Sequence, residues 1–540
     1  MGTLALFFVL RYFYRRYTSP LVKVPLAMAT NFWVAYFGLV PPPNDKQDEL
    51  SEFLIRVGQD GDQTPISVLW SVMGKPTVLV NTLQGIKDVL IEGQTKRKDS
   101  KVMIQQHRPP TNVQRGDFIR LAQNLVFGGP NINNTVGEEW RWRRHVLLPP
   151  FQPRQLVPNL LPYVSNRAKQ LLDLFGKHAE QETAVELDEV FMDLTMDVIN
   201  YYLYGRNDLN YDMVGGCTNL KNIHHHLGMG FMSPKVWLPF GLNKTNWAQR
   251  DFLAARKLLK DFINDSLDRA VKEDPPNTSS TTKKTYPSVA AAAMASGHYE
   301  DPDRFDLIND FLSLTFAGYD TTAHTLAFCF SELARHPEIQ NKIVEQVRQV
   351  LGPPPVDPAS ITAEKLARMP YVTAVYRETM RKYPAVALIP VHVNHDTPVD
   401  GTIVPAGAEI WCNVRGIQMN PRIFPNPDTF DPSRWLKPET ITEQQQETDD
   451  GFDKMTSSST NGTTKVDADH QYNFPDLSFT LGQHSCLGKN LAILELRTVI
   501  ACTINQYSLS LKPGTEVNTK IVLTTKPRDD VWVYFKKREA

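Results

Sequence analysis

The sequence predicts a mainly α-helical fold with small β-sheets. Apolar residues recur every three or four positions along four long segments, which is the spacing of helices with one buried face: 184–204, 251–272, 305–335 and 337–351. Strand patterns are fewer and shorter, and they fall within three segments: 66–81, with a turn at 73–76, 401–414, and 530–535. Helices are therefore expected to form the bulk of the fold.

The composition is that of a globular protein with almost no net charge. The 540 residues are 41% hydrophobic and 22% charged, which supplies a large core and argues against a disordered or polytopic membrane protein. The 58 basic and 59 acidic residues give a net charge of -1, so no nucleic-acid partner is expected. The cysteines are odd in number and widely spaced, which argues against a disulfide framework or a structural zinc site: Cys217, Cys329, Cys412, Cys486 and Cys502.

The first 43 residues are predicted to be a short membrane-anchor and hinge segment, followed by one catalytic domain over 44–540. An apolar run at 3–10 precedes three arginines, which fits a short or truncated anchor with its C-terminal side in the cytoplasm. A frayed terminus is the alternative. The uncharged stretch 24–40 fits a membrane interface and packing on the protein body equally well.

Two polar stretches, 274–296 and 443–470, are predicted to be surface insertions that bury no core. Both are rich in small and polar residues. The three consecutive histidines at 224–226 suggest a metal site, but neighbouring residues on a helix point in different directions, so a surface cluster is the preferred interpretation.

The most informative motif is FTLGQHSCLG at 479–488. Gly482 and Gly488 flank Cys486, so the backbone can turn closely around a large ligand while the thiolate points at it. In isolation, a buried cysteine is more often an inert core residue. The segment resembles the haem-binding loop of the cytochrome P-450 haem-thiolate monooxygenases, with Phe479, Gly482, His484, Cys486 and Gly488 in register. The resemblance implies that fold, with a single large haem-enclosing domain, and haem b with Cys486 as the axial thiolate ligand of iron.

A second motif lies upstream, in RETMR and FDPSRW. Glu378 and Arg381 stand three residues apart on a predicted helix and would ordinarily form a solvated ion pair. In this order along the chain they resemble the glutamate-arginine pair of the family, which Arg434 completes. The resemblance implies a buried structural clamp behind the haem rather than a catalytic group.

The third motif, AGYDTT at 317–322, lies in the middle of a long predicted helix, where Gly318 and the threonines weaken helix formation. It resembles the oxygen-binding helix of the family, whose loosened turn makes room for dioxygen. Asp320 and Thr321 would then relay protons, and Ala317 would flank the haem plane. The simpler alternative is that the helix tolerates these unfavourable residues and that they have no functional role.

Three side chains resemble the partners of the haem propionates. Trp140 and Arg144 lie four residues apart on one helix face and both donate hydrogen bonds, although alone they would suggest a surface cation–π pair. His484 stands where arginine is commoner, so its contact is expected to depend on pH. Where many members carry another propionate-binding arginine, this chain has Val391 or His392, which leaves one contact unassigned.

The resemblance implies a monooxygenase that inserts one oxygen atom from O2 into a hydrophobic substrate, such as a lipid, steroid, terpenoid or xenobiotic. No dinucleotide or flavin motif is present, so electrons from NADPH are expected through a separate flavoprotein reductase. Arg141 and Arg143 suggest a docking face for an acidic partner, or simply a solvated basic face. Alignment with the family indicates five pocket residues: Thr322, Val386, Ile389, Leu523 and Thr524.

Two other functions remain open from the sequence. One is a haem-thiolate isomerase or dehydratase that rearranges an oxidised lipid, against which the Asp320–Thr321 pair argues. The other is a haem-binding sensor or electron carrier without substrate. The resemblance also implies attachment to the endoplasmic reticulum membrane with the catalytic domain facing the cytoplasm.

Overall fold

The fold was analysed in a computed structural model of the chain. The structure describes residues 14, 19, 21, 24, 49–59, 64–69, 76–91, 113–116, 119–120, 123–124, 127–206, 246–273, 288–301, 303–436 and 475–539. Most of the predicted anchor, the histidines at 224–226, Cys217 and the insertion 443–470 lie outside these residues. None of the described helices is both long and apolar enough to cross a membrane.

Helices make up most of the described chain, as the sequence predicts. In chain order they are α1 (Glu49–Gln59), α2 (Leu83–Leu90), α3 (Gly137–Leu147), α4 (Pro153–Glu180), α5 (Leu187–Tyr204), α6 (Asn246–Glu273), α7 (Val289–Met294), α8 (Phe305–Arg335), α9 (Pro337–Leu351), α10 (Ala363–Ala367), α11 (Pro370–Lys382), α12 (Val414–Gln418) and α13 (Lys489–Gln506). The bounds of α8 and α9 coincide with the sequence prediction because their apolar periodicity is continuous and a proline starts α9.

The strands form small sheets at the edges of the helical body. They are β1 (Ile66–Leu69), β2 (Thr77–Val80), β3 (Val113–Arg115), β4 (Val185–Glu186), β5 (Leu388–Val393), β6 (Thr397–Val399), β7 (Thr402–Val404), β8 (Glu409–Asn413), β9 (Tyr507–Leu511), β10 (Thr519–Ile521), β11 (Thr525–Pro527) and β12 (Trp532–Lys537). The five-stranded sheet has the order β1-β2-β8-β5-β3, and three smaller sheets pair β10 with β11, β4 with β12 and β9, and β6 with β7. The predicted strand segments are thus confirmed.

Helix α8 runs through the centre of the protein and packs most extensively against α5. At Gly318 the two backbones approach so closely that a Cβ would lie 2.5 Å from Cγ1 of Ile199 on α5. One residue later, the hydroxyl of Thr195 on α5 donates a hydrogen bond to the carbonyl of Tyr319 (3.0 Å). The glycine in the AGYDTT motif therefore has a packing role, because it admits α5 against α8.

The prediction of a core-free insertion at 274–296 is wrong for its C-terminal part. Residues 289–294 form α7, and Val289, Ala290 and Ala293 are buried in the main hydrophobic cluster. Ser288 caps this helix by accepting a hydrogen bond from the amide of Ala291 (3.1 Å). Alanines have small side chains and high helix propensity, so a run of them can pack closely against α3 and α5.

Candidate haem site

The loop at 477–488 holds Cys486 by backbone hydrogen bonds immediately before α13. The amide of Cys486 donates to the carbonyl of Phe479 (2.9 Å), and the amide of Ser485 donates to that of Gly482 (3.1 Å). Gly482 has a φ of 74°, a conformation that favours glycine. Of the four described cysteines, Cys329, Cys412 and Cys502 are buried and Cys486 alone is exposed.

Nearby positive charges oppose the effect of burial on the Cys486 thiol. The surrounding protein raises the pKa of the thiol overall, although the amide of Gly488 and the cations Arg144, Lys489 and Arg115 each lower it in part. The position just before the N-terminus of α13 also favours a negative charge there. An accessible sulfur among cations fits a ligand that coordinates through a thiolate.

A short accessible face interrupts the otherwise buried centre of α8. Between residues 309 and 334, every residue is buried except Ala317, Gly318 and Thr321. These three lie on one side of the helix, since residues four apart share a face. The hydroxyl of Thr321 donates to the carbonyl of Ala317 (2.9 Å) along that face. This patch can therefore border a bound group or substrate.

Asp320 does not lie on the accessible face but is held by groups behind it. Its carboxylate accepts a hydrogen bond from the hydroxyl of Thr524, and its Oδ1 lies 3.3 Å from Nε2 of His324. Burial would raise the pKa of Asp320, but His324, Thr524 and nearby Lys526 lower it overall. Among the described residues no hydrogen bond joins Asp320 to Thr321.

Four side chains gather near the cysteine loop as an aromatic and cationic cluster, the propionate cluster: Arg115, Trp140, Arg144 and His484. The rings of Trp140 and His484 are 4.1 Å apart between centroids, and the Arg144 guanidinium lies 5.7 Å from the Trp140 ring. Arg144 also donates to the carbonyl of Ser485 (3.1 Å). Burial and the charge of Arg144 lower the pKa of Arg115 to about 10.

Burial and two neighbouring arginines act on the pKa of His484. Burial, Arg115 and Arg144 lower its pKa to about 2, so the imidazole is neutral near pH 7. Buried polar atoms without a hydrogen-bond partner remain here, the Nε of Arg115 and the Nδ1 of His484. Such a set of buried, repelling cations and unused donors fits a ligand with carboxylate groups.

Glu378, Arg381 and Arg434 are brought together in the protein interior. Arg381 donates two hydrogen bonds to the Glu378 carboxylate (2.9 and 2.8 Å), and the Nε of Arg434 lies 3.3 Å from the same group. The indole of Trp435 and the amide of Asp431 also donate to it (2.9 and 3.0 Å). Because Arg381 also donates to the carbonyls of Gln418 and Pro427, this cluster ties α11 to the last residue of α12 and to the segment after it.

The five predicted pocket residues have very different surroundings. Thr322 is 2% exposed and Ile389 is 5% exposed, so little of either side chain is accessible to a substrate. On β5 the partly exposed positions alternate with the buried ones, which makes Leu388, not Ile389, the accessible neighbour. Val386 is 42% exposed, Leu523 is partly buried, and Thr524 is buried against Asp320.

Arg143 cannot dock a partner protein, contrary to one of the two interpretations. Its side chain is fully buried and paired with Asp306 (3.0 Å), Glu139 (3.1 Å) and Asp310. Arg141 remains partly exposed and is paired with Glu138. The basic run of α3 therefore divides into an inner side, which binds α8 and the cysteine loop, and an outer one.

Comparison with known proteins identifies the family. The sequence profile described as Cytochrome P450 matches residues 63–530.

The chain belongs to the cytochrome P450 family.

Its relatives include Cytochrome P450 4A10 of Rattus norvegicus, which is 27% identical over 461 residues covering 81% of this chain and 79% of that protein. Cytochrome P450 4V2 of Mus musculus is 25% identical over 76% of this chain and 74% of that protein. Cytochrome P450 monooxygenase acrF of Aspergillus aculeatus is 25% identical over 68% of this chain and 72% of that protein.

Solved structures share the fold of this P450. The retinoic acid-bound cyanobacterial CYP120A1 superposes with a TM-score of 0.65 at 20% identity, covering 89% of this chain and 93% of that one. A cytochrome P450 described as CYP102L1 superposes with a TM-score of 0.69 at 15% identity, covering 96% and 100%. The mainly helical fold class with small sheets is thereby confirmed.

Family membership confirms the general activity predicted from the sequence. This P450 is a haem-thiolate monooxygenase that inserts an oxygen atom from O2 into a hydrophobic organic substrate, with electrons from a redox partner. It carries haem b, bound through a cysteine thiolate. The accessible Cys486 and the propionate cluster described above fit such a group.

The sequence-based prediction does not include three residues of this site. Arg115 lies far from every recognised motif, and only its pairing with β5 places it beside the cysteine loop. His324 follows Asp320 by one helical turn, which was a visible signal. Leu388 was missed because the register of β5, and not the order of residues after the KYP segment, decides which side chain is accessible.

Proposed function

We propose that Cys486 is the axial ligand of the haem iron in this monooxygenase. The observation that carries the proposal is the accessible thiol, which lies among cationic side chains just before the N-terminal cap of α13. Phe479, Gly482 and Gly488 shape the loop around it, and a Cβ on Gly488 would meet only open space. Haem bound through a thiolate supplies the oxygen activation.

Trp140, Arg144, His484 and Arg115 hold the haem propionates in this proposal. Arg115 and Arg144 contribute positive charge, and a carboxylate between them would relieve their repulsion. The ring of His484 contributes one hydrogen bond. Glu378, Arg381 and Arg434 form the structural clamp and touch no reacting atom.

Asp320 and Thr321 have separate tasks in proton handling. The Thr321 hydroxyl lies on the accessible face of α8, where it donates to the carbonyl of Ala317, and it would have to turn from that carbonyl to donate to a group bound there. Asp320 is held behind this face as a carboxylate. Its negative charge favours the delivery of protons from water to the region of Thr321. Val386, Leu388 and Leu523 offer apolar surface to the substrate.

The redox partner is proposed to be an NADPH-dependent flavoprotein reductase, and the enzyme is proposed to attach to the endoplasmic reticulum membrane with its catalytic domain in the cytoplasm. The apolar run at 3–10 followed by arginines supports this attachment. Membrane fractionation of the full chain and of a chain lacking residues 1–43 tests it. Equal recovery of both in the soluble fraction would contradict the proposal.

The ligand assignment is tested by the carbon monoxide difference spectrum of the reduced protein and of Cys486→Ser. A red-shifted Soret band that disappears in Cys486→Ser is the expected result. Cys502→Ser is the matched control, since Cys502 is buried on the same helix that follows the loop and should leave the band unchanged. An unchanged band in Cys486→Ser would overturn the assignment.

A further inference from the structure

A second titratable side chain lies directly behind Asp320. His324 is buried one helical turn later on α8, and its ring lies between two carboxylates. Its Nδ1 is 2.6 Å from Oδ1 of Asp188 on α5, and its Nε2 is 3.3 Å from Oδ1 of Asp320. Asp188 is 27% exposed and lies in the first turn of α5. The chain of three groups thus crosses from the centre of α8 to the end of a neighbouring helix.

The two carboxylates decide the charge of His324. Burial lowers the pKa of the imidazole, but Asp188 and Asp320 together raise it to about 10. Near pH 7 the ring is therefore an imidazolium between two anions. Other groups also face this chain: Thr524 and Lys526 from the C-terminal hairpin act on Asp320, and Glu186, whose pKa is raised to about 7, lies beside Asp188.

We propose that His324 is a positioning residue: a fixed imidazolium that ties Asp320 on α8 to Asp188 on α5 and holds the Asp320 carboxylate as an anion behind Thr321. This inference rests on the proton-handling role proposed above for Asp320 and Thr321. A neutral side chain at 324 would leave Asp320 buried with only Thr524 as a direct partner, and such a carboxyl group would take up a proton. Asp320 would then no longer attract protons toward Thr321.

The arrangement indicates that His324 holds Asp320 in place and does not transfer a proton to it. The pKa of the imidazolium lies well above that of the Asp320 carboxyl. The ring therefore keeps its proton even when the hydrogen-bond partners of Asp320 change. The contact at 3.3 Å is longer than that to Asp188 at 2.6 Å, so the ring is anchored mainly on the α5 side.

The first test measures the charge of His324 independently of turnover. The ferrous carbon monoxide form is diamagnetic, so carbon-13-labelled histidine can be titrated by NMR, with His324→Gln identifying the signal. We expect the His324 ring to stay protonated above about pH 8 in the wild type and to titrate at lower pH in Asp188→Asn. A wild-type ring that titrates near its ordinary pKa of about 6.5 would overturn the proposal.

The second test separates the charge from the shape of the side chain. With dodecanoic acid as the hydrophobic probe, product formed per NADPH consumed is measured from about pH 6 to 9 in His324→Gln and His324→Lys. Gln keeps a hydrogen-bond donor without the charge, and we expect about a tenfold loss of product per NADPH that lessens as the pH rises and Asp320 ionises. Lys restores the positive charge and is expected to recover most of the loss.

Equal coupling of His324→Gln and the wild type at every pH would overturn the inference. Asp320→Asn and Thr321→Ala are measured alongside, because unchanged coupling in these two variants would instead overturn the proposed roles of Asp320 and Thr321. An unchanged carbon monoxide difference spectrum shows that each variant binds haem as the wild type does.

Discussion

Arg115 stands directly opposite Val391 in the antiparallel pairing of β3 with β5. Opposed residues of an antiparallel pair project from the same face of the sheet. The chain lacks the expected propionate-binding arginine at Val391 or His392, and the strand next to it supplies Arg115 instead. In the proposed haem site, Arg115 would make the missing propionate contact from the neighbouring strand.

Arg115→Met is expected to weaken haem retention. Loss of a buried charged hydrogen-bond donor to a propionate corresponds to about 1.5–3 kcal/mol, or roughly 10- to 100-fold faster haem release. Transfer of haem to excess apomyoglobin, followed in the Soret region, measures the rate. Arg368→Met changes an exposed arginine and serves as the control; equal release rates for the two variants would contradict the role of Arg115.

Gly318→Ala is expected to destabilise the protein through Ile199. The new Cβ would lie 2.5 Å from Cγ1 and 2.6 Å from Cδ1 of Ile199, so α5 and α8 must separate or Ile199 must leave its rotamer. Overpacking of this kind costs about 1–3 kcal/mol in the free energy of unfolding. Urea unfolding measures the loss. Ile199→Ala removes the two nearest atoms and leaves only the Cβ of residue 199, at 3.2 Å, so in that background Gly318→Ala should cost much less. An equal cost in both backgrounds would be inconsistent with the clash.

Arg143→Met is expected to be severely destabilising because it leaves Asp310 as a buried carboxyl group without its cation. Asp310 also binds the amide of Ile132 (2.6 Å) and the hydroxyl of Tyr299 (2.8 Å), and burial raises its pKa to about 6. Breaking a buried ion pair costs about 3–5 kcal/mol.

The matched control for Arg143 is the outer arginine of the same helix. Arg141→Met removes a partly exposed pair with Glu138 and should cost no more than about 1 kcal/mol. The midpoint temperature of thermal unfolding is measured for both variants. Comparable midpoints would mean that the buried network of Arg143 does not stabilise the packing of α3 on α8.

Glu495→Gln is expected to stabilise the protein increasingly as the pH rises. Both carboxylate oxygens of Glu495 are buried without a hydrogen-bond partner, and burial raises its pKa well above the ordinary value. Above about pH 4.5 the unfolded chain loses this proton while the folded protein retains it, so the wild-type free energy of unfolding falls as pH increases.

The amide at position 495 removes that pH dependence, so the stability difference should be small near about pH 5 and larger near about pH 8. Urea midpoints at the two pH values measure it. Glu300→Gln changes an exposed glutamate and should show no such trend. A difference that shrinks with rising pH would refute a protonated Glu495.

The sequence by itself determined the helical fold class, the bounds of α8 and α9, and the candidate ligand Cys486. Apolar periodicity, proline at a helix start and glycines around a cysteine are local signals, and local physics suffices to interpret them. The clamp of Glu378, Arg381 and Arg434 was also predictable, because its motifs keep their order along the chain.

Only the tertiary structure decided which side chains are accessible and which charges meet. Ile389 and Thr322 are buried because strand register and helix rotation, which depend on the neighbouring elements, turn them inward. Arg143 is internal because α8 brings Asp310 to it, and Arg115 reaches the cysteine loop because β3 pairs with β5. Burial and electrostatic coupling depend on distances between residues far apart in sequence, so the pKa shifts of His324 and His484 follow from packing.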